Sequence, residues 1–355
     1  MPTRRIDPER LENLSVHVSN HTAGALGVLL AYIGDQLGLY RALAANGPMT
    51  SQDLADATGT NERYVREWLS ANAAGEYVEY DGATDTFSMT PEQVLVFAAE
   101  GEPGCMQGFF QSVVSVYLDE PRNTEAFRTG DGIPWGERDV CCFCGTERFF
   151  RPMYAASLID EWLPALHGIK ERLEEGAVVA DVGCGRGLST VFMARAFPKS
   201  TFHGFDYHGP SIEEATKKAR DAGVTNTQFA IADAKSFPNH SYDLVAIFDA
   251  LHDMGDPVGV ARYVKSTLKV DGTFMLVEPR AGDKLEDNLH PMGQAFYAFS
   301  TLICTAVSRS QEVGLALGAQ AGPRRLTQVL NEAGFSDTRL AAQSDANIVL
   351  EARSN

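Results

Sequence analysis

One segment constrains the fold of this chain more than any other: a run of apolar residues that leads into three closely spaced glycines. Residues 178–182 have the pattern of a buried strand, the letters GCGRG follow at 183–187, and a helical pattern begins at Leu188. Glycines in such a turn let a ligand approach the backbone, and loops of this kind bind nucleotides at the carboxyl edge of a parallel sheet. The segment therefore predicts a nucleotide-binding α/β domain.

The pattern around this segment predicts a doubly wound, mainly parallel sheet. Strand-like runs alternate with helical patterns, which is typical of a parallel sheet covered by helices on both faces. The last two strands should be antiparallel, because only residues 342–346 separate them and a crossover helix needs more. The predicted strands are 177–182, 201–205, 227–231, 244–248, 273–277, 337–341 and 347–352.

Details of the glycine loop narrow the class of nucleotide. The dinucleotide fingerprint requires a third glycine where this chain has Leu188, which disfavours a nicotinamide oxidoreductase. Asp206 ends the second predicted strand, 25 residues after Asp181, and a carboxylate there can bind both hydroxyls of a ribose. No P-loop lysine is nearby, which argues against a triphosphate.

Three blocks, Asp181 to Gly187, then Asp206, then Ala232 to Ala234, together resemble class I S-adenosylmethionine-dependent methyltransferases. The resemblance covers residues 177–355 and implies a Rossmann-like methyltransferase domain that binds S-adenosylmethionine and releases S-adenosylhomocysteine. A sulfonium cation should also prefer a cleft edged by carboxylates. The implied cofactor-binding residues are Asp181, Gly183, Cys184, Gly185, Asp206, Tyr207, Asp233, Ala234 and Asp249.

A second motif follows the fourth predicted strand and carries His252. A histidine in that position can serve as a general base, since its pKa lies near working pH, or it can be structural. The motif resembles plant-type small-molecule O-methyltransferases, and bacterial winged-helix methyltransferases more closely. The resemblance implies that His252 is the catalytic base and that Glu278 orients it. Residues 320–325 lack the second orienting carboxylate of the plant-type enzymes. A hydroxyl acceptor is favoured, and an amine or thiol stays open.

Residues 1–99 have the pattern of a winged helix. Helical spacing extends over residues 23–46, a helix-turn-helix pattern follows, and a hairpin is predicted around the turn Asp81-Gly82. Such motifs often read DNA, but residues 1–100 hold 6 basic and 14 acidic residues, a net charge of −8. We therefore predict a dimerisation domain in a homodimer, with a regulator that senses S-adenosylmethionine as the alternative.

Two further segments could form the acceptor site. Residues 100–176 read as an aromatic-rich helical connector, in which Phe149 and Met153 are candidate walls of an apolar pocket. Residues 280–322 contain no predicted strand and read as an insertion that covers the substrate, with Tyr297 as a candidate lining residue. Packing alone would explain all three side chains equally well.

Composition sets the remaining expectations. The formal net charge of −17 disfavours nucleic acid as a partner. No apolar run is long enough for a membrane helix, and residues 1–14 contain Arg4 and Arg5 but no apolar stretch after them, so we expect a cytoplasmic protein. Cys141, Cys142 and Cys144 lack a second ligand pair, and no metal site is predicted.

Overall fold

The chain passes between two compact units three times in the computed structural model, which describes residues 6–353. The first unit runs to Tyr117 and includes Val140–Pro152, and the second comprises Leu118–Asp139 and the chain from Met153 onward. The predicted connector, residues 100–176, is thus divided between both units. Arg4, Arg5 and the outermost residues of the first and last predicted domains lie outside the described residues.

The first unit is helical apart from one hairpin. Asp7 caps its first helix by accepting a hydrogen bond from the Glu9 backbone N–H at 3.0 Å. The helix ends at Gly38, whose φ of +72° suits glycine, and the next helix starts at once with a bend of 70° between the two. Its elements are α1 Pro8–Leu37, α2 Leu39–Asn46, α3 Ser51–Thr58, α4 Glu62–Ala74, β1 Glu79–Asp81, β2 Thr86–Ser88, α5 Pro91–Phe97 and α6 Gln107–Leu118.

Two local predictions for this unit were wrong in detail. The helix predicted over residues 23–46 starts earlier and is broken at Gly38, because apolar periodicity does not register a left-handed residue between two helices. The hairpin turn is also wider than a two-residue Asp-Gly turn. The Asp81 carboxylate binds the Ala83 N–H at 2.9 Å and the Thr84 hydroxyl at 2.8 Å, which stabilises a four-residue loop.

Further helices lead into the second unit. Of these, α8 is one continuous helix that starts in the first unit and ends in the second. Cys142 is buried on α8, and the Cys141 sulfur lies 3.3 Å from the Tyr32 hydroxyl within the first unit. The helices are α7 Glu120–Thr129, α8 Val140–Ser157 and α9 Ile169–Glu175, with a 3₁₀ turn at Trp135–Glu137 and a π-helical turn at Leu158–Trp162.

The second unit is built on a seven-stranded sheet in the order β5-β4-β3-β6-β7-β9-β8. Strands β3 to β7 are parallel, and β9 lies antiparallel to both β7 and β8, as predicted. The strands are β3 Val178–Val182, β4 Thr201–Asp206, β5 Thr227–Ile231, β6 Tyr242–Phe248, β7 Leu268–Pro279, β8 Asp337–Gln343 and β9 Asn347–Arg353. The covering helices are α10 Leu188–Ala196, α11 Gly209–Asp221, α12 Pro257–Thr267 and α15 Gly322–Glu332.

Strand β6 is buried along its whole length, as are most of β3 and the second part of β7, which places the core of this unit around these three strands. Between β7 and α15 the chain forms α13 Pro291–Phe299, a π-helical turn at Ser300–Cys304 and α14 Thr305–Arg309. Among residues 6–353 no single helix is long and apolar enough to cross a membrane, although the bent pair α1 and α2 passes the length and composition test together.

Candidate functional site

The glycine loop joins β3 to α10 at the carboxyl edge of the sheet. Gly183, Gly185 and Gly187 all have positive φ, which side-chain-bearing residues rarely adopt. A Cβ atom on Gly187 would collide with Ala215 at 2.7 Å, so this glycine serves packing. A Cβ on Gly185 would meet open space, so the backbone there is accessible to a ligand.

Asp206 binds this loop from the end of the neighbouring strand β4. Its carboxylate accepts hydrogen bonds from the Gly185 N–H at 2.9 Å and the His208 N–H at 2.8 Å. Burial raises the pKa of Asp206, and the two backbone hydrogen bonds oppose that rise. Each carboxylate oxygen keeps a lone pair that a ribose hydroxyl could use, and the ribose contact of Asp206 stays a prediction.

Asp181 lies beneath the loop and is almost fully buried. One carboxylate oxygen accepts hydrogen bonds from the Ser189 and Thr190 hydroxyls at 2.6 Å each, which ties β3 to the start of α10. The other oxygen is buried and has no hydrogen-bond partner. Burial raises the pKa of Asp181 to about 6. An unpartnered buried oxygen in this position suits a cationic or amino group of a ligand.

Asp249 follows β6 and is held between two donors. The Tyr154 hydroxyl donates to one carboxylate oxygen at 2.6 Å, and the Asn347 side chain donates to the other at 2.7 Å. Its φ of +48° is a strained conformation for a residue other than glycine, and such strain is common at functional sites. Burial raises the pKa of Asp249 to about 7.

His252 and Glu278 form a buried pair at the ends of adjacent parallel strands. The His252 Nδ1 atom contacts one Glu278 carboxylate oxygen, and the other oxygen accepts from the His252 backbone N–H at 3.3 Å. Burial would lower the pKa of His252, but the negative charges of Glu278 and Asp253 outweigh it and hold that pKa well above the usual value. With Nδ1 fixed by Glu278, the reactive ring atom is Nε2.

Two other side chains surround the Nε2 atom of His252. The Oδ1 atom of Asp253 lies 3.2 Å from Nε2, and this same buried atom makes no hydrogen bond of acceptable geometry. Cys304, at the end of the π-helical turn after α13, also lies beside His252, and burial raises the pKa of its thiol to about 12. A nitrogen, an oxygen and a sulfur atom that could bind a metal ion therefore lie within 4.8 Å of one another.

The segment predicted as an insertion packs directly on the loop that carries His252. The Ser308 hydroxyl donates to the Met254 carbonyl at 3.0 Å, and the Gln311 side chain donates to the Asp253 carbonyl at 3.1 Å. The Gln311 side chain also accepts from the Gly255 N–H at 3.0 Å. Residues 300–311 thus fix the position of the catalytic candidate.

The remaining predicted cofactor residues differ in their exposure. Asp233 follows β5 and accepts from the Lys235 N–H at 2.7 Å, while Ala234 packs against the core. Tyr207 directly follows Asp206 and is 51% exposed. Cys184 is buried within the glycine loop, and burial raises the pKa of its thiol well above the usual value. These positions border the same edge of the sheet as Asp206.

The three predicted acceptor residues are not brought together in one unit. Phe149 belongs to the first unit, where its ring packs 5.1 Å from that of Phe109. Met153 and Tyr297 belong to the second unit, and both are half-buried. Their contact with an acceptor stays a prediction.

Sequence reasoning missed Tyr154, Asn347 and Cys304 as site residues. Tyr154 is one of many aromatic residues in its helix, and its hydroxyl reaches a carboxylate 95 positions away. Asn347 has a weak signal, because asparagine is depleted in strands and here it starts a buried one. Nothing in the sequence around Cys304 marks it.

The buried carboxylates of the site bear on whether a cationic sulfonium cofactor fits it. Burial raises the pKa values of Asp181, Asp206 and Asp249, so negative charge on these carboxylates is disfavoured in the protein alone. A bound cation would stabilise their ionised forms. With the open backbone at Gly185 and the unpartnered oxygen of Asp181, the residues present fit S-adenosylmethionine.

The sheet order, the glycine loop after β3 and the acid at the end of β4 define the Rossmann-like class I methyltransferase fold. Residues 173–334 match the family described as a methyltransferase domain, and residues 24–98 match the Rv2258c-like winged HTH domain. The chain therefore contains a methyltransferase domain and an N-terminal winged helix-turn-helix domain, and both predictions are confirmed.

Similar proteins agree with this assignment. A tRNA (guanine-N(7)-)-methyltransferase of Yersinia pseudotuberculosis is 32% identical over 133 residues, which cover 32% of this chain and 54% of that protein. The chain thus spans about half the length of the relatives that it matches by sequence.

Solved structures match over nearly the whole chain. The mitomycin 7-O-methyltransferase MmcR is 19% identical with a TM-score of 0.72, covering 98% of this chain and 100% of that one. Human N-acetylserotonin methyltransferase in complex with SAM is 16% identical, with a TM-score of 0.69 and 99% coverage of both chains. The dimethyltransferase RosA from Streptomyces davawensis is 19% identical with a TM-score of 0.57, covering 99% and 100%. These likenesses show the fold.

Proposed function

We propose that this protein transfers a methyl group from S-adenosylmethionine to a hydroxyl group of a small, partly apolar molecule. The observation that carries the proposal is the buried contact between His252 Nδ1 and Glu278 at the carboxyl edge of the sheet. Glu278 fixes the ring. Because the pKa of His252 is raised, the imidazole must first lose its Nε2 proton before Nε2 can accept the proton of a hydroxyl nucleophile.

The residues divide the work between binding and proton transfer. Asp206 binds the ribose, the backbone at Gly185 borders the methionine part, and Asp181 and Asp249 stabilise positive charge nearby. S-adenosylmethionine supplies an electrophilic methyl group on a sulfonium that leaves as a neutral thioether. During transfer of that methyl group to a hydroxyl, His252 Nε2 would take the hydroxyl proton. Glu278 then stabilises the resulting imidazolium.

Positioning and base catalysis contribute differently to this rate. Holding nucleophile and methyl group in line is worth up to about 7 to 11 kcal/mol in favourable model reactions. One general base adds roughly 10² to 10⁴-fold. Removal of His252 should therefore reduce turnover strongly but leave measurable activity.

The test measures methyl transfer from labelled S-adenosylmethionine to a panel of phenols, in the wild type, His252→Ala and Glu278→Gln. We expect a loss of roughly 10² to 10⁴-fold in kcat for His252→Ala. Glu278→Gln should lower kcat while KM for the cofactor changes little, because Glu278 acts through the ring. S-adenosylhomocysteine binding, measured by calorimetry, should persist in both variants.

Two control variants make this experiment specific. His17→Ala removes an exposed histidine of the first unit and should retain full turnover. Asp206→Ala should weaken S-adenosylhomocysteine binding sharply, since it removes the proposed ribose contact. Turnover of a phenol by His252→Ala within about threefold of the wild type would remove His252 from the mechanism.

An amine acceptor is the second candidate, and the fold match to RosA, an amino-riboflavin dimethyltransferase, favours it. A neutral amine attacks without first losing a proton, so the base matters less. Full activity of His252→Ala on amines, with loss on phenols, would identify nitrogen as the natural acceptor. A regulator that senses S-adenosylmethionine would bind DNA in a mobility-shift assay at low salt.

We also propose that the protein works as a cytoplasmic homodimer. Only Ala31, Gly34 and Asp35 of the 30 residues of α1 are buried. Large apolar side chains along this helix stay exposed, among them Leu11, Leu14, Leu26 and Leu29. A second copy of the helix would cover such a surface.

A further inference from the structure

The cluster around His252 Nε2 has the composition of a transition-metal site. We propose that His252 Nε2, Asp253 Oδ1 and Cys304 Sγ bind Zn²⁺ or a similar divalent ion, and that the bound ion reversibly blocks methyl transfer. The first half stands on geometry, and the second half rests on the proposed role of Nε2 as the proton acceptor.

The positions of the three atoms match a zinc site closely. All lie within 4.8 Å of one another, and the Nε2 atom of His252 is 3.2 Å from the Asp253 carboxylate. Zinc bonds of about 2.0 to 2.3 Å in a tetrahedral site hold neighbouring ligand atoms roughly 3.3 to 3.8 Å apart. The side chains would have to move by about 1 Å or less. The fourth position would be left to water.

The Asp253 carboxylate belongs to the same cluster. Its Oδ1 atom is buried without a hydrogen bond of acceptable geometry, and it lies 3.2 Å from the Nε2 atom of His252. An ion bound between these atoms would replace that direct contact and supply the interaction that the buried oxygen lacks. The Asp253 side chain as a whole is 20% exposed, which gives an ion a route from solvent.

The surroundings of His252 also suit a metal ligand. Metal-binding histidines usually donate their second ring nitrogen to a carboxylate or carbonyl, which fixes the ring and makes the ligand more basic. Glu278 contacts Nδ1 in this way. A mixed nitrogen, oxygen and sulfur set favours zinc or cobalt over magnesium or calcium.

Binding would join two elements that are far apart in sequence. His252 and Asp253 lie on the 3₁₀ turn after β6, and Cys304 ends the π-helical turn after α13. Cys304 would bind as a thiolate and His252 through the Nε2 atom of a neutral imidazole, and each would release its proton to solvent. Because the ion would occupy the Nε2 lone pair, His252 could not accept the proton of a hydroxyl substrate while the ion is bound.

Cobalt titration of the full-length, chelator-treated protein tests the site without any methyl acceptor. We expect a thiolate-to-cobalt charge-transfer band in the wild type and in Cys144→Ser, a control that removes a thiol of the first unit. Cys304→Ser should lose the band, and Zn²⁺ should displace cobalt from the wild type. Absence of the band from the wild type, or its persistence in Cys304→Ser, would overturn the site.

A second variant and an activity measurement complete the test. Asp253→Asn should weaken zinc binding at least tenfold in competition with a chromogenic chelator, and unchanged affinity would count against the site. Calorimetry with S-adenosylhomocysteine checks that each variant is folded. Zinc should inhibit the transfer to a phenol, and EDTA should restore it. Full activity at saturating zinc would overturn the inhibitory role, whereas no transfer to any acceptor would fault the proposed function and leave the cobalt result standing.

Discussion

At the scale of single residues, the site contains buried acids whose ionised forms the surrounding protein does not stabilise fully. Asp181 and Asp249 have pKa values raised to about 6 and about 7 by burial. Each lies at a strand end where the predicted ligand would bring positive charge. Affinity for a cation is therefore expected to cost folding stability, a common compromise at functional sites.

Asp181→Asn should stabilise the ligand-free protein and weaken S-adenosylhomocysteine binding. The folded-state pKa of about 6 exceeds the reference value of 3.8, so the folded protein binds an extra proton between these values. This proton contributes roughly 3 kcal/mol to the free energy of unfolding. The contribution is fully present below pH 4 and is lost as the pH rises through 6. Urea unfolding should show a gain of about 1 to 2 kcal/mol for Asp181→Asn at pH 8, since the new amide stays unpartnered. A gain that is as large at pH 4 would refute this origin.

Asn347→Asp should destabilise the protein because it places a second carboxylate beside Asp249. The Asn347 side chain donates to Asp249 at 2.7 Å and to the Glu278 carbonyl at 3.4 Å, and Asp cannot donate when ionised. We expect a loss of roughly 3 kcal/mol in urea unfolding at pH 8. Asn331→Asp, on the exposed face of α15, is the matched control and should change stability little. Equal effects at both positions would contradict a stabilising role for the hydrogen bonds that Asn347 donates to Asp249 and Glu278.

At the scale of elements, the break between α1 and α2 is set by one residue. Gly38 has a φ of +72° and joins two helices bent by 70°. Alanine pays about 1 to 2 kcal/mol for a left-handed conformation. The bend therefore depends on the absence of a side chain rather than on apolar periodicity.

Gly38→Ala and Gly24→Ala should change stability in opposite directions. Gly24 lies within α1, and a Cβ there meets no atom within 4 Å, so alanine should stabilise the helix by roughly 0.5 to 1 kcal/mol. Gly38→Ala should destabilise by about 1 kcal/mol or more. Thermal unfolding of both variants beside the wild type is sufficient, and a gain at both positions would show that the break is not fixed by Gly38.

The predicted and observed elements agree where local sequence patterns determine the structure and differ where tertiary packing does. The parallel strands and the loop after β3 follow from local patterns, whereas the pairing of His252 with Glu278 is expected only from the resemblance to O-methyltransferases. Contacts such as that of Tyr154 with Asp249 depend on how α8 packs, across 95 positions. Side-chain directions of that kind are decided by tertiary packing, which local periodicity does not encode.

At the scale of the whole molecule, the predicted dimer gives a direct test. Leu26 is 63% exposed and Leu29 is 42% exposed on α1. Sedimentation should give about twice the chain mass of 38.6 kDa for the wild type. Leu26→Glu with Leu29→Glu should give monomers, while Tyr64→Glu, on an 81% exposed residue of α4, should not. A monomeric wild type at micromolar concentration would contradict the dimer.

The net charge predicts that this chain does not act on RNA, although tRNA methyltransferases are among its relatives. The formal charge of −17 opposes approach to a phosphate backbone. Incubation with bulk tRNA and labelled S-adenosylmethionine should therefore give no incorporation above a protein-free blank. Incorporation that rises as the salt concentration falls would instead indicate a basic surface that the net charge conceals.

The continuous helix α8 limits how such a protein can be recombined. Its first part, Val140–Pro152, belongs to one unit, while Tyr154 near its end binds Asp249 in the other. A chimera that joins a foreign N-terminal half at residue 177 would discard Tyr154 and leave Asp249 with one donor fewer. We therefore expect that swapping whole halves between relatives will transfer acceptor preference less often than substitution of single side chains. A productive crossover would have to lie upstream of α6, or α6 to α9 would have to be replaced together.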